Sequence, residues 1–145
     1  MNNFKEKNMT HKITSDWKGE MAYEVDTVGG KLQLNATAGE DGKAKGMTPK
    51  YLMLVSLAGC TSMDVTSLLE KMRAQVEDFK VEVEGELTDE HPKYYHTVKL
   101  TYKFKGEDLK KDKIEKAVKL SVDRYCGVYE MFRKFADVSY EIKYN

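Results

Sequence analysis

The segment from Thr48 to Ala58 constrains this chain more than any other. Thr48 can cap a helix, and Pro49 is tolerated at the first helical position, where its missing N–H would be unpaired anyway. Tyr51, Leu52, Met53, Leu54, Val55, Leu57 and Ala58 follow with only Ser56 among them, so the helix is apolar on nearly every side. A helix that is hydrophobic all round is buried all round. One small half-sheet offers too little surface to enclose it, which predicts that a second subunit contributes. The helix is expected to run to about Gln75. Past Cys60 it becomes amphipathic, with Met63, Ser67, Leu68 and Met72 on or near one face.

The rest of the chain alternates between two periods. Ile13, Ser15 and Trp17, then Met21, Tyr23 and Val25, then Leu32, Leu34 and Ala36 repeat every second residue, with Gly29-Gly30 between the last two runs as a hairpin signal. Gly39 to Gly46 reads as a loop. Phe79, Val81, Val83 and Leu87, then Val98, Leu100, Tyr102 and Phe104, and finally Val138, Tyr140, Ile142 and Tyr144 read as strands. A second long helix is expected over roughly Lys111 to Phe135, from Ile114, Ala117, Val118, Val122, Tyr125, Tyr129 and Phe132 at helical spacing. The fold class is α+β. Residues 1–9 are polar and aperiodic and read as a flexible N-terminal tail, leaving 10–145 as a single domain.

Composition narrows the function. Lys plus Arg equals Asp plus Glu at 24 each, so a general basic surface for nucleic acid or anionic lipid is not expected. Only Arg73, Arg124 and Arg133 are arginine, the residue best suited to bidentate anion recognition. The apolar run Tyr51–Ala58 falls short of the ~20 residues that cross a bilayer, and the polar start has no apolar signal region, which predicts a cytoplasmic protein that does not enter a membrane. The two cysteines, Cys60 and Cys126, are then expected as reduced thiols. Three scattered histidines, His11, His91 and His96, complete no four-ligand zinc pattern, so neither a metal nor a cofactor is expected.

Both cysteines are expected inside helices, and they meet only if those helices pack side by side. A meeting pair could form a dithiol peroxidase or redox switch, while separate cysteines would simply pack as small hydrophobes. Asp64, four residues after Cys60, shares its face. A carboxylate beside a thiol raises the thiol pKa, so Asp64 is read as a helix-surface or interface residue. Tyr94, Tyr95, Tyr102, Tyr125, Tyr129 and Phe132 could line an apolar pocket or fill the core.

The stretch Thr48 to Val65, with Gly59-Cys60-Thr61-Ser62-Met63-Asp64 at its centre, resembles the central helix of the OsmC/Ohr family. Ala117 to Val128, around Arg124-Tyr125-Cys126-Gly127, resembles that family's second cysteine helix. His91-Pro92 and the strand from Val98 to Tyr102 are similar to its YhfA-like branch. The resemblance covers nearly all the chain after about residue 10. It implies an OsmC-like intertwined homodimer, with antiparallel β-sheets around two long central helices per subunit and the active sites at the subunit interface. It also implies an activity: reduction of organic hydroperoxides without metal or haem. Cys60 would be the peroxidatic thiol, Cys126 the resolving one, and a dithiol the reductant.

The family's peroxidases activate the first thiolate with an arginine from the N-terminal β region, held by a glutamate near the start of the central helix. This sequence has no arginine before Arg73, and Lys50-Tyr51 stand where the glutamate would be. Lys18 and Lys50 are the candidate activating cations, although lysine lacks arginine's fixed fork. An unactivated thiol titrates near ~8.5, which predicts slow peroxide turnover. The alternative function is non-catalytic: a hydrophobic small-molecule binding or redox-sensing module on the same scaffold.

Overall fold

A computed structural model describes residues 9–145. They divide into two compact units, one ending at Pro49 and the other spanning Lys50–Asn145. The expected tail lies almost wholly outside the described residues; Met9, its last member, is exposed.

The first unit is an antiparallel sheet of β1 (Thr14–Trp17), β2 (Ala22–Thr27) and β3 (Gly30–Asn35) in the order β1-β2-β3. The expected hairpin is present: Thr27 pairs with Gly30 at the turn, where Gly30 takes φ +135°, open to glycine alone at little cost. Among its described residues only Val25 is a buried hydrophobic, while Ile13, Trp17, Met21 and Val28 are exposed.

The second unit holds the core. Here α1 (Pro49–Lys71) is followed by β4 (Asp78–Leu87), β5 (Tyr95–Lys105), α2 (Lys111–Leu120), a π-helical turn at Ser121–Tyr125, α3 (Gly127–Arg133) and β6 (Asp137–Tyr144). The sheet order is β4-β5-β6. Central β5 buries Val98, Leu100, Tyr102 and Phe104 completely on one face, joined by Phe79, Val81 and Val83 from β4 and Val138 and Ile142 from β6. The opposite face carries charged pairs, Lys103 on Glu82 at 2.7 Å and Lys99 on Glu141 at 3.1 Å, with Thr101 buried between them. Such one-sided burial produces the period-two pattern in the sequence.

Three expectations change. β6 runs parallel to β5, so this sheet is mixed and not antiparallel. The reason is the connection: β6 returns after a helical crossover, which parallel neighbours require, whereas β4 and β5 are joined by a short loop. α1 stops at Lys71, short of Gln75, because Arg73 takes φ +54° and turns the chain out of the helix. The single second helix is broken at Cys126, as described below. Within its own chain α1 buries one stripe, Leu57, Thr61, Val65 and Leu69. Tyr51, Met53, Val55 and Met63 are exposed, Met63 by 75%. Among the described residues α1 is the one helix long and apolar enough, by length and composition, to cross a membrane, a length that the Tyr51–Ala58 run understates. Its buried stripe belongs to the core of this unit.

Gly85 allows α1 its close approach to the sheet. A Cβ there would lie 2.6 Å from the Tyr95 ring and 3.1 Å from Leu54 of α1.

Candidate functional site

The break in the second helix places Cys126. After Leu120 the chain widens by one residue, and the Cys126 N–H donates to the Ser121 carbonyl at 2.8 Å, five residues back. Cys126 then leaves the helical region, with φ −77° and ψ 98°, and Gly127 begins α3. The Cys126 sulfur caps the new helix by accepting from the Tyr129 N–H at 3.3 Å. The extra residue also shifts the inward face by one position. Regular spacing from Val118 and Val122 points Tyr125 inward, but Tyr125 is exposed and Cys126 is buried in its place. Single wide turns of this kind are frequent at functional sites.

The fold brings the two cysteines together. The Cys60 and Cys126 sulfurs and a carboxylate oxygen of Asp64 all lie within 4.8 Å of one another. Both cysteines are free. A disulfide needs sulfurs about 2.05 Å apart, so bridging requires a change of side-chain rotamer and a shortening of this contact. Cys60 is half-buried on α1, while Cys126 is only 3% exposed. Burial pushes the Cys126 thiol up to about 12; the adjoining Cys60 and the Asp64 carboxylate add to this, against a lowering by the Tyr129 N–H. Cys126 is therefore a protonated thiol at neutral pH.

Asp64 does not stand on the open surface of the helix, one of the two places its sequence position suggested. It is half-buried and faces the thiols, and it accepts from Ser121 Oγ at 3.1 Å. Ser121 lies 2.8 Å from Thr61 Oγ1, which lies 2.7 Å from the Tyr102 hydroxyl. Each hydroxyl has one proton to donate. Ser121 spends its proton on Asp64, so Thr61 donates to Ser121 and Tyr102 donates to Thr61. The chain of donors runs one way, from the fully buried Tyr102 to Asp64. Burial pushes the Tyr102 phenol up, which keeps it a donor. Sequence reasoning gave Thr61 and Ser121 no role at the site, and it named Tyr102 only as a pocket or core aromatic. The available signal was a pair of polar residues, Thr61 and Ser121, at inward positions of otherwise apolar helices.

Lys18 belongs to the first unit, where its N–H bonds the Ala22 carbonyl. Lys50 opens α1 ten residues before Cys60, about 15 Å of helical rise away. With Met53, Lys93, Tyr94, Tyr95 and Phe135 it lines an apolar cavity of about 460 Å³. Of the aromatic set proposed as a pocket, Tyr102, Tyr129 and Phe132 are core, and Tyr125 is exposed. A second, more polar cavity of about 270 Å³ opens beside Asp64, lined by Ser67, Leu68, Lys71 and Tyr125.

Comparison with known proteins agrees with this architecture. Residues 41–141 match the family model described as OsmC-like protein. Protein YhfA of Escherichia coli K12 is 34% identical over 100 residues, covering 68% of this chain and 75% of that protein. The crystal structure of a hypothetical protein from Aquifex aeolicus VF5 is 30% identical and superposes with a TM-score of 0.77, covering 94% of this chain and 98% of that one. The organic hydroperoxide resistance protein OhrB of Bacillus subtilis shares the fold at 18% identity and a TM-score of 0.65, over 93% of this chain and 98% of its own. With the family model spanning most of the second unit, including α1 and both cysteines, the chain belongs to the OsmC-like protein family.

Proposed function

We propose that this protein is a thiol-dependent peroxidase for organic hydroperoxides, using Cys60 and Cys126 as its redox pair. The observation that carries the reading is the meeting of two free thiols from separate helices within 4.8 Å, one of them half-buried and approachable. Cys60 attacks the peroxide O–O bond: its sulfur is oxidised to sulfenic acid, and the peroxide is reduced to an alcohol. The Cys126 sulfur then attacks the sulfenic sulfur, forming the disulfide and releasing water. A small or lipoyl-type dithiol restores both thiols by exchange. Family members named for organic hydroperoxide resistance support the choice of substrate class.

The working form in this reading is a homodimer in which both units belong to one intertwined OsmC-like domain. The exposed Tyr51, Val55 and Met63 on α1, and the sparsely buried first sheet, support it. Lys18 or Lys50 of a second chain would supply the cation that activates Cys60. The apolar cavity at Lys50, Met53, Tyr95 and Phe135 favours one other reading, a module that holds a hydrophobic small molecule without turnover.

Anaerobic single turnover decides between them. Reduced protein is mixed with cumene hydroperoxide or hydrogen peroxide, and free thiols and intact mass are followed. Loss of two thiols with a two-hydrogen mass decrease, faster with the organic peroxide, is the expected result. Thiols that persist for minutes under excess peroxide overturn the peroxidase and leave the binding module.

A further inference from the structure

The sequence contains no four-ligand metal pattern, yet the fold assembles three ligands from three positions. The geometry points to a Zn²⁺ site formed by the Cys60 and Cys126 sulfurs and the Asp64 carboxylate, with the fourth position open to water. The three donor atoms lie within 4.8 Å of one another. Tetrahedral zinc holds sulfur at about 2.3 Å and carboxylate oxygen at about 2.0–2.2 Å, which puts ligand atoms roughly 3.5–3.8 Å apart. The cluster reaches that spacing with about 1 Å of side-chain adjustment. Cys60 and Asp64 stand one helical turn apart on α1, the separation at which one helix face offers two ligands to one ion. Cys126 arrives from the helix break, opposite them.

The donor set selects the ion. Two thiolates favour a borderline-soft cation over Mg²⁺ or Ca²⁺, which prefer oxygen throughout. A single carboxylate completes a set more typical of zinc than of copper(I). The site also has the outer partner that ordered metal sites use. Ser121 Oγ donates to the Asp64 oxygen Oδ2 at 3.1 Å and is itself held by Thr61 and Tyr102. An entry path is present, because the cavity lined by Ser67, Leu68, Lys71 and Tyr125 opens at Asp64. Binding releases one proton from each thiol as the two sulfurs become thiolate ligands, with no change of oxidation state.

This site does not depend on peroxidase activity, and its test uses no peroxide. Reduced full-length protein is equilibrated anaerobically with Zn²⁺, desalted and assayed for metal. Co²⁺ in place of zinc reports thiolate ligation through its charge-transfer absorption. The expected result is one zinc per chain and a cobalt spectrum of tetrahedral thiolate type. Cys60→Ser and Cys126→Ser should each abolish stoichiometric binding. Asp64→Asn should weaken it, and Ser121→Ala should weaken it about 10–100-fold, as loss of an outer partner does. Circular dichroism of each variant shows whether the fold is kept, and the wild-type cobalt spectrum stands independently of all of them. Substoichiometric zinc on the wild type, a cobalt spectrum without thiolate bands, or equal binding by wild type and folded variants overturns the site. Slow thiol oxidation of the zinc-free reduced protein, with stoichiometric zinc binding intact in a separate sample, would defeat the peroxidase reading alone.

Discussion

Replacing Thr61 with valine removes one oxygen and keeps the shape of the side chain. Thr61 is fully buried, so little cavity forms and nearly all the effect is polar. Its oxygen is the acceptor for Tyr102 at 2.7 Å and the donor to Ser121 at 2.8 Å. Valine leaves the Tyr102 hydroxyl, itself fully buried, with a proton and no acceptor. An orphaned buried donor costs about 1–3 kcal/mol, against about 0.5–1.5 kcal/mol for losing an ordinary hydrogen bond. Thr61→Val should therefore destabilise by about 2 kcal/mol. Tyr102→Phe alone removes the donor and leaves Thr61 still donating to Ser121, so it should cost about 1 kcal/mol. The double variant has no orphan and should be more stable than Thr61→Val alone. Urea unfolding, followed by circular dichroism at one fixed protein concentration, measures all three against wild type. The midpoint should move while the slope stays constant. A double variant whose loss equals or exceeds the sum of the single losses would refute the one-way chain of donors from Tyr102 to Asp64.

Three other expectations test separate parts of the structure. Folding raises the Cys126 thiol from about 8.5 in an unfolded chain to about 12, so its contribution to stability is intact below pH 8.5 and is lost as pH rises towards 12. Between pH 8.5 and 10, below the range of the buried tyrosines, reduced protein should lose stability through this group with a slope that steepens towards about 1.4 kcal/mol per pH unit, and Cys126→Ala should lack that part of the slope in urea titrations. Gly85→Ala brings a methyl group to 2.6 Å from the Tyr95 ring; overpacking of this kind costs about 1–3 kcal/mol, and an unchanged unfolding midpoint would contradict the close approach of α1 to β4. Met63→Lys, on the exposed face of α1, should convert a particle of twice the 16.7 kDa chain mass into single chains in sedimentation; a wild type already at one chain mass would remove the dimer.

The strands and α1 were legible because their environments are simple. β5 turns its apolar residues to one face and its charged ones to the other, and Val98, Leu100, Tyr102 and Phe104 record that with period two. The second helix was legible only up to Val122. Beyond it one inserted residue puts the pattern out of phase, and periodicity then assigns to Tyr125 the inward position that Cys126 holds. Gly127 was the only local sign of a break. The direction of β6 could not be read, since a strand's pattern is the same in either orientation. Nor could the place of Asp64 be read, because its meaning depends on Ser121, which is 57 residues away. Its spacing from Cys60 was visible, but the partner that turns it towards the sulfurs was not. The breadth of apolar surface on α1 was legible, and within its own chain much of that surface is exposed.

What the site does next depends on which cation reaches it. Two thiols and a carboxylate within 4.8 Å each become negative on losing a proton, and like charges at that range oppose one another. Cys126, the most buried of the three, has its pKa raised first by burial and then further by the neighbouring Cys60 and Asp64. Within residues 50–145 Asp64 has no ion pair to offset it. A lysine from a second chain would favour a thiolate at Cys60 while leaving its sulfur free, and that arrangement serves attack on a peroxide. Zinc would favour both thiolates but occupy the sulfur lone pairs, and that arrangement excludes the peroxide. The two proposed uses of the site therefore compete for the same atoms. Thiol oxidation by cumene hydroperoxide should slow in proportion to zinc occupancy and recover on chelation; oxidation at equal rates with and without one bound zinc per chain would show that the metal sits elsewhere.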